Sequence, residues 1–300
     1  MQIIHPEYGR RVALVHTGEP HVDELHLLST YRSIHAFAVA AIETGWKLRD
    51  LLSTDLSGIV LDYDQVHALQ SDWRFLPSFD HPDHPARCMV TGCANGPANA
   101  GARSTAPPWF TKGNGMHLRG HGEDLIIPTF GVGGTEEAEL VGVYIIDPTG
   151  QPRRIGLTPG NEFADPEMVQ RDPRMLSHSK LRTCSIGPEL TLDADFDGVH
   201  GSVAIERAGA VLWSKEIVTG EAHTVFPLAD VERHCFKYEA HRLPGDAHVH
   251  FLGGSVSSFG DGFRLEDGDE AVIQWEGFGR PLRNPIHREA PADHGGATAL

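Results

Sequence analysis

From residue 86 onward the chain is written in short apolar runs cut by glycine, proline and aspartate, and this punctuation restricts it to a sheet-rich fold. The runs have strand length, and helical periodicity is scarce among them. Strands are expected at 87–91, 125–128, 139–146, 201–206, 211–217, 247–251 and 271–275. Between the fourth and fifth of these, RAGA at 207–210 reads as a hairpin turn, because glycine takes a positive φ there at no steric cost. The expected unit is a twisted β roll.

The N-terminal part reads differently. An apolar stretch at 12–15 leads into one strong helix, in which Ile34, Phe37, Ala38, Ala41 and Ile42 recur at helical spacing. Ser33 or Ser29 is available as its cap, and Gly45 interrupts the pattern. The proline- and aspartate-rich segment 72–85 reads as a linker over the surface. The expected organisation is a small α/β lead-in unit at 1–85, a mostly β domain at 86–290 and a frayed tail at 291–300, an α+β class overall. No internal repeat stands out.

A chain of 300 residues with 40% hydrophobic and 22% charged content can build a sizeable core. Its net charge of -16 repels phosphate backbones and anionic lipid, so nucleic acid and membrane surfaces are poor partners. An anionic ligand therefore needs a local positive centre. No leader pattern and no membrane-length apolar run is present, and a cytoplasmic protein is the expectation. Cys88, Cys93, Cys184 and Cys235 lie far apart and are expected reduced and buried, since CMVTGC has neither CxxC spacing nor a partner pair for zinc.

The strongest chemical feature is Glu137-Ala138-Glu139 at the mouth of an apolar strand, followed by Gly160-Asn161-Glu162. Residues two apart on a strand share a face, so Glu137 and Glu139 turn to one point, and Glu162 completes a facial set if the chain doubles back. Hard oxygen ligands of this kind suit Mg²⁺, Mn²⁺ or Ca²⁺ rather than zinc. Taken alone, a Glu-x-Glu at a strand entrance is usually a solvated edge.

The surrounding residues change that balance. The stretch PPWFTKGNGMHLRGHGEDLIIPTFGVGGTEEAELVGVYIID resembles the signature of the fumarylacetoacetate hydrolase family: an aromatic-x-Lys element, an isoleucine-proline turn and a metal-binding Glu-x-Glu-Leu strand. Downstream, GNEF, IGPEL, LPGDAHVHFLGGS and LEDGDEAVIQWEGFGRPLRNPI follow in the family's order, so the resemblance spans about 86–286. Within the family it is most similar to the sugar-acid catabolism group. The resemblance implies a mixed β-sandwich roll, a homodimer, Mg²⁺ at the mouth of the roll and a small anionic 2-oxo acid as substrate.

Carried over residue by residue, Glu137, Glu139 and Glu162 become the metal ligands, with glutamate replacing the family's aspartate at 162. Lys180 falls near the family's active-site lysine, and Lys112 matches the lysine of the aromatic-x-Lys element. Ser255 lies near the threonine of a glycine-threonine loop, with Gly254 beside it, and Asn161 precedes the third ligand. His117 and His121 are the histidines expected near the pocket, whereas His248 and His250 share a strand face and are discounted with the other histidines. The glycines at 131, 133 and 134 are not a phosphate cradle, because no helix start follows them.

Two departures bear on the reaction. The family's hydrolases carry a histidine and a glutamate that activate water, whereas TGCANGPANAGAR stands in that place. The arginine and glutamine expected after the third ligand are replaced by Pro166 and Val169, with Gln170 and Arg171 just beyond, so Arg171 is a substrate-binding candidate, while the resemblance gives Lys112 and Ser255 as contacts of the substrate carboxylate. The expectation is a metal-dependent dehydratase of a 2-oxo-3-deoxy sugar acid, a pentonate such as 2-keto-3-deoxyarabinonate, with Lys180 as base. The alternatives are a carbon-carbon hydrolase that recruits His26, His35 or Glu43 to activate water, and a non-catalytic sugar-acid binding protein.

Overall fold

A computed structural model describes residues 1–17, 23–96, 105–254, 256–290 and 295–299. The first part of the chain forms β1 (Gln2–His5), β2 (Gly9–Thr17), β3 (Asp23–Leu28), α1 (Ile34–Thr44), α2 (Leu48–Thr54), β4 (Leu56–Asp62), α3 (Tyr63–His67) and β5 (Arg74–Phe75). Its strands make a five-stranded sheet in the order β4-β3-β2-β1-β5. The helix starts where the Ser33 hydroxyl accepts the Ala36 amide at 3.1 Å, and stops where Gly45 turns left-handed at φ 72°.

The rest of the chain supplies β6 (Cys88–Cys93), β7 (Trp109–Asn114), β8 (Leu118–Arg119), β9 (Leu125–Ile127), β10 (Ala138–Ile146) and β11 (Pro152–Asn161). Then come α4 (Pro166–Arg171), α5 (Leu176–Lys180), β12 (Cys184–Ile186), β13 (Val199–Arg207), β14 (Ala210–Thr219) and α6 (Leu228–Phe236). The last strands are β15 (Ala247–Phe251), β16 (Asp269–Trp275) and β17 (Leu282–Arg288). All seven strands expected from the sequence are present. The RAGA hairpin also forms: Arg207 pairs with Ala210, and Ala208 and Gly209 both have positive φ, as a two-residue turn between twisted strands requires.

Two further sheets result, one of seven strands in the order β7-β6-β15-β10-β11-β12-β8 and one of five in the order β14-β13-β16-β17-β9. In the seven-stranded sheet, β7 and β8 lie at opposite edges, yet only the turn Gly115–His117 separates them in the chain. The sheet therefore curls until its edges meet, giving the α+β, mostly β roll that the sequence resemblance implies.

Both faces of the seven-stranded sheet are covered, which is why β10 is buried along its whole length. Val141, Val143 and Ile145 face a core shared with Phe79, Val249, Phe251 and the α1 residues Ile34, Phe37 and Ala38. Leu140, Tyr144 and Ile146 face a second core with Val203, Ile273, Trp275 and α6. The segment 72–85 does not run over the surface as expected: β5 pairs with β1, and Phe75, Ser78, Phe79 and His81 are buried. Its aromatic residues outweigh its prolines. The four cysteines are free and buried, as expected. Among the described residues no helix is long and apolar enough to cross a membrane.

Candidate metal centre

The carboxylate cluster is a product of strand register. Ala138 pairs with Asn161 and Glu139 with Gly160, and the same antiparallel register continues to Thr135 and Ala164. The Glu162 amide accordingly donates to the Glu137 carbonyl at 2.9 Å, which sets Glu137 directly across from Glu162. With Glu139 on the same face by alternation, three side chains converge, each offering an oxygen within 4.8 Å of the others. Gly160, opposite Glu139, has no room for a side chain: a Cβ there would run into Val141 Cγ2 and stand 2.8 Å from the Phe251 ring.

Like charges directly opposite each other destabilise a sheet, so the cluster needs cations. Two lysines supply them. Lys112, fully buried on β7, donates to Glu162 Oε1 at 2.6 Å and to the Phe163 carbonyl at 2.7 Å. It reaches Glu162 because the curled sheet brings β7 round to the β11 side. Lys180, the last residue of α5, donates to both oxygens of Glu137 at 3.0 and 2.9 Å and to Glu162 Oε2 at 2.5 Å, with the Phe110 ring 4.8 Å away. Glu139 has no ammonium partner; the Gly253 amide donates to its Oε2 at 2.7 Å, and the Trp275 indole donates to its backbone carbonyl at 3.2 Å.

Charge balance explains how each group titrates. Burial would raise the Glu162 carboxyl, but Lys112 and Lys180 outweigh it and hold the group below the usual range. Burial raises Glu137 to about 7 despite Lys180, although a quarter of its side chain still meets water and screens part of that shift. Glu139 lies well above the usual range through burial and then repulsion from Glu162 and Glu137. Burial would lower Lys180, but Glu137 and Glu162 outweigh it, so the ammonium is held above the ordinary lysine range.

Among the described residues three carboxylates face two ammoniums, and the uncompensated charge is concentrated on Glu139 and Glu137. An all-oxygen donor set with a deficit of positive charge fits a hard divalent cation. Glu137, Glu139 and Glu162 are the residues that would hold it.

The other residues singled out in the sequence are placed as follows. Gly254 lies against the cluster: a Cβ there would stand 3.4 Å from Glu139 Oε1 and 3.0 Å from the Ala138 carbonyl. Ser255 falls outside the described residues. Asn161 alternates to the opposite face of β11 from Glu162, and its Oδ1 accepts the Glu137 amide at 3.2 Å, so it braces a ligand strand. Arg171 is exposed and paired with Glu167 at 2.7 Å, with no bond to the cluster. His117 closes the capping box of the Gly115–His117 turn, and His121 is engaged by the His67 carbonyl and the Arg283 amide. Both are bracing groups. The amides of Val132 and Gly133 donate to Asp165, so that loop holds a carboxylate of its own chain.

The water-activating candidates are not brought to the cluster within the chain. His26 pairs with Glu24, and His35 with the Gly245 carbonyl. Glu43 borders a cleft with Ile145, Ile146 and Gly245, at the far end of β10 from Glu139. Seven residues of strand put that end about 24 Å away. His248 and His250 do share one face of β15, but they look into the second core, with the Phe236 ring 5.2 Å from each. Sequence reasoning missed Gly253, Trp275 and Glu136, whose carboxylate accepts the Ser258 amide and hydroxyl. It also missed Asp165 and Arg182.

No family model matches the chain, and no curated protein matches it in sequence. Solved structures do match. The apo form of 2-keto-3-deoxy-D-arabinonate dehydratase superposes with a TM-score of 0.72 at 16% identity, over 97% of this chain and 99% of that one. The form complexed with magnesium and 2,5-dioxopentanoate gives 0.70 at 16% identity, again over 97% and 99%. A 2-hydroxyhepta-2,4-diene-1,7-dioate isomerase from Mycobacterium marinum gives 0.63 at 18% identity, over 97% and 98%. At these identities the likeness establishes the fold. It is a roll of the fumarylacetoacetate hydrolase type.

Proposed function

We propose that the chain is an enzyme of the fumarylacetoacetate hydrolase family, a divalent-metal-dependent lyase that dehydrates a small 2-oxo-3-deoxy sugar acid. The observation that carries this reading is the set of half-buried Glu137 with buried Glu139 and Glu162, short of positive charge among the described residues and braced by Lys112 and Lys180. A dehydratase of the same fold is solved with magnesium and 2,5-dioxopentanoate. A divalent cation at the three glutamates would supply Lewis acidity to the carboxylate and 2-oxo group of a substrate, favouring loss of a C3 proton.

The chain's own residues divide the remaining work. Lys112 is enclosed and fixes Glu162 from behind, so it acts through that ligand. Lys180 keeps 13% of its side chain exposed and lies between Glu137 and Glu162, where an incoming substrate meets it. It starts as an ammonium. It would become a base only when the charge of Glu137 and Glu162 is taken up elsewhere; it would then accept the C3 proton and pass it to the departing hydroxyl, which leaves as water. Among the described residues no histidine-glutamate pair stands at the cluster, which favours loss of water over carbon-carbon hydrolysis.

The test is incubation of the protein with Mg²⁺ and a panel of 2-oxo-3-deoxy pentonates and acylpyruvates, with products followed by mass spectrometry. Chelator-sensitive loss of water is the expected result. Cleavage of acylpyruvates would replace the lyase with a hydrolase, and binding without turnover would make the protein a sensor. Lys180→Met is expected to lower turnover by about a thousandfold, within the range of a lost acid–base group, while Mg²⁺ binding measured by calorimetry stays intact or tightens.

A further inference from the structure

Lys180 has to be held in place by something other than its own helix. α5 has five residues and no side-chain N-cap, and a single turn of helix has little stability of its own. A flexible four-carbon stem then separates the ammonium from the backbone. The chain on both sides of this lysine is tied to one residue, Asp165. Just before Lys180, the Ser179 carbonyl accepts the Asp165 amide at 3.1 Å. Two residues after it, the Arg182 guanidinium donates to Asp165 Oδ2 at 3.4 Å and to the Gly133 carbonyl at 3.0 Å. Asp165 and Arg182 are both buried.

Asp165 gathers the other approaches to the cluster as well. It stands three residues after Glu162, and its Oδ2 accepts the amides of Val132 and Gly133 at 2.9 and 3.1 Å, on the loop that leads to Glu137. Its Oδ1 caps α4 by accepting the Met168 amide at 3.0 Å. The segments that carry Glu137, Glu162 and Lys180 thus meet at one carboxylate. Three backbone amides already serve it, and a buried ion pair adds little stability over apolar packing. What Arg182 adds is a second fixed point for the chain that carries Lys180.

We infer that Asp165 and Arg182 are positioning residues for Lys180: they fix residues 179–182 on both sides of it, so that its ammonium stays between Glu137 and Glu162, where the proposed substrate meets it. The inference rests on the proposed function, which gives Lys180 its acid–base role. Among the described residues neither side chain bonds to the three glutamates, so both act through Lys180.

The test uses Arg182→Met, which leaves Asp165 its three amides, and Arg182→Lys, which returns a cation. Steady-state kinetics on the accepted 2-oxo acid gives kcat and KM, and calorimetry gives the Mg²⁺ affinity. Misplacing a reacting group by about 1 Å costs on the order of a hundredfold. Arg182→Met is expected to lower kcat towards that factor with KM and Mg²⁺ affinity nearly unchanged, and Arg182→Lys to recover part of the loss. In the Lys180→Met background, Arg182→Met should cost nothing further, because residues that act as a unit are not additive. In the metal-free protein, reductive methylation read by mass spectrometry should modify Lys180 several-fold faster in Arg182→Met than in the parent, with exposed Lys47 as the internal reference. A parent-like kcat or labelling rate in Arg182→Met, or a double variant slower than Lys180→Met by the full factor of the single one, means that the pair only supports the fold, and the inference fails alone. If Arg182→Met does not fold, Arg182→Lys is read by the same criteria. If the Mg²⁺-loaded parent turns over no member of the panel, the proposed function fails and takes the inference with it.

Discussion

Two groups of ionisable side chains are buried in the seven-stranded sheet, and they solve the same problem in opposite ways. On one face, Glu137, Glu139 and Glu162 are kept close together with Lys112 and Lys180 among them. On the other, His248 and His250 lie under α6 among Tyr144 and Phe236. His250 Nδ1 meets the Thr91 hydroxyl, while among the described residues its Nε2 and both ring nitrogens of His248 have no hydrogen bond of ordinary geometry. Burial, with further repulsion from His241, lowers His248 to about 3, and burial holds His250 well below the ordinary histidine range. The carboxylates are stabilised by opposite charge and still lack some. The histidines remain neutral and carry none. A buried cluster built to hold an ion is therefore recognised by its unbalanced charge rather than by the number of its titratable groups.

The largest expected effect breaks the charged side of this comparison. Lys112→Met leaves Glu162 buried with one partner fewer, and removing one member of a buried pair costs about 3–5 kcal/mol. Urea unfolding should show that loss in chelator and a smaller one in millimolar Mg²⁺. A loss that ignores Mg²⁺ would mean that the cation does not sit at Glu162.

Acid should pull the two faces in opposite directions. Glu137 titrates near 4.5 when unfolded and about 7 when folded, so between these values the folded state holds the extra proton and acidification stabilises it. His248 titrates near 6.5 unfolded and about 3 folded, so there the unfolded state takes up the proton and acidification destabilises the fold. Each full proton is worth about 1.4 kcal/mol per pH unit. The screening noted for Glu137 makes its share the smaller. Mg²⁺ affinity should weaken as pH falls through about 7, and unfolding midpoints taken with and without Mg²⁺ across pH 4–8 test both signs. A Mg²⁺ affinity flat across neutrality would remove Glu137 from the site.

The smallest effect sharpens the neutral side. His248→Phe removes two unpartnered nitrogens from an apolar setting and should change stability at pH 8 by no more than about 1 kcal/mol, in the stabilising direction if the ring fits. It should also flatten the acid-side loss. A large destabilisation at pH 8 would show that His248 is partnered after all.

The parts legible in the sequence are those where local pattern and global fold agree. The helix with Ser33 and Gly45 at its ends, the RAGA turn and the seven apolar strands all follow from spacing. β11 is not legible, because Pro152, Gly156, Pro159 and Gly160 make a strand paired along β10 with one bulge look like a loop, although its last seven residues are buried. β1 to β4 mix polar residues into short strands and lack a clean alternation. At the site, Glu137, Glu139 and Glu162 could be found because a two-residue period and a doubled-back chain are enough to bring them together. Arg171 and His117 were misplaced because proximity in sequence says little about direction in space. Lys112 is legible through family resemblance alone, since no local pattern distinguishes an enclosed lysine from a solvated one. Glu136 escaped notice because it is read together with Glu137, yet alternation turns the two apart.

The meeting of β7 and β8 across the Gly115–His117 turn also bears on assembly. Glu137 and Glu162 are brought opposite each other by a single hairpin, and Lys180 follows 18 residues after Glu162, so three of these charges gather locally. Lys112 is 50 residues from its partner and arrives only when the sheet has rolled shut. The centre is thus completed by the same event that brings the two edges of the sheet round to each other. A chain whose seam stays open has its ligands but not their rear support, and tight cation capture becomes a certificate that closure has taken place.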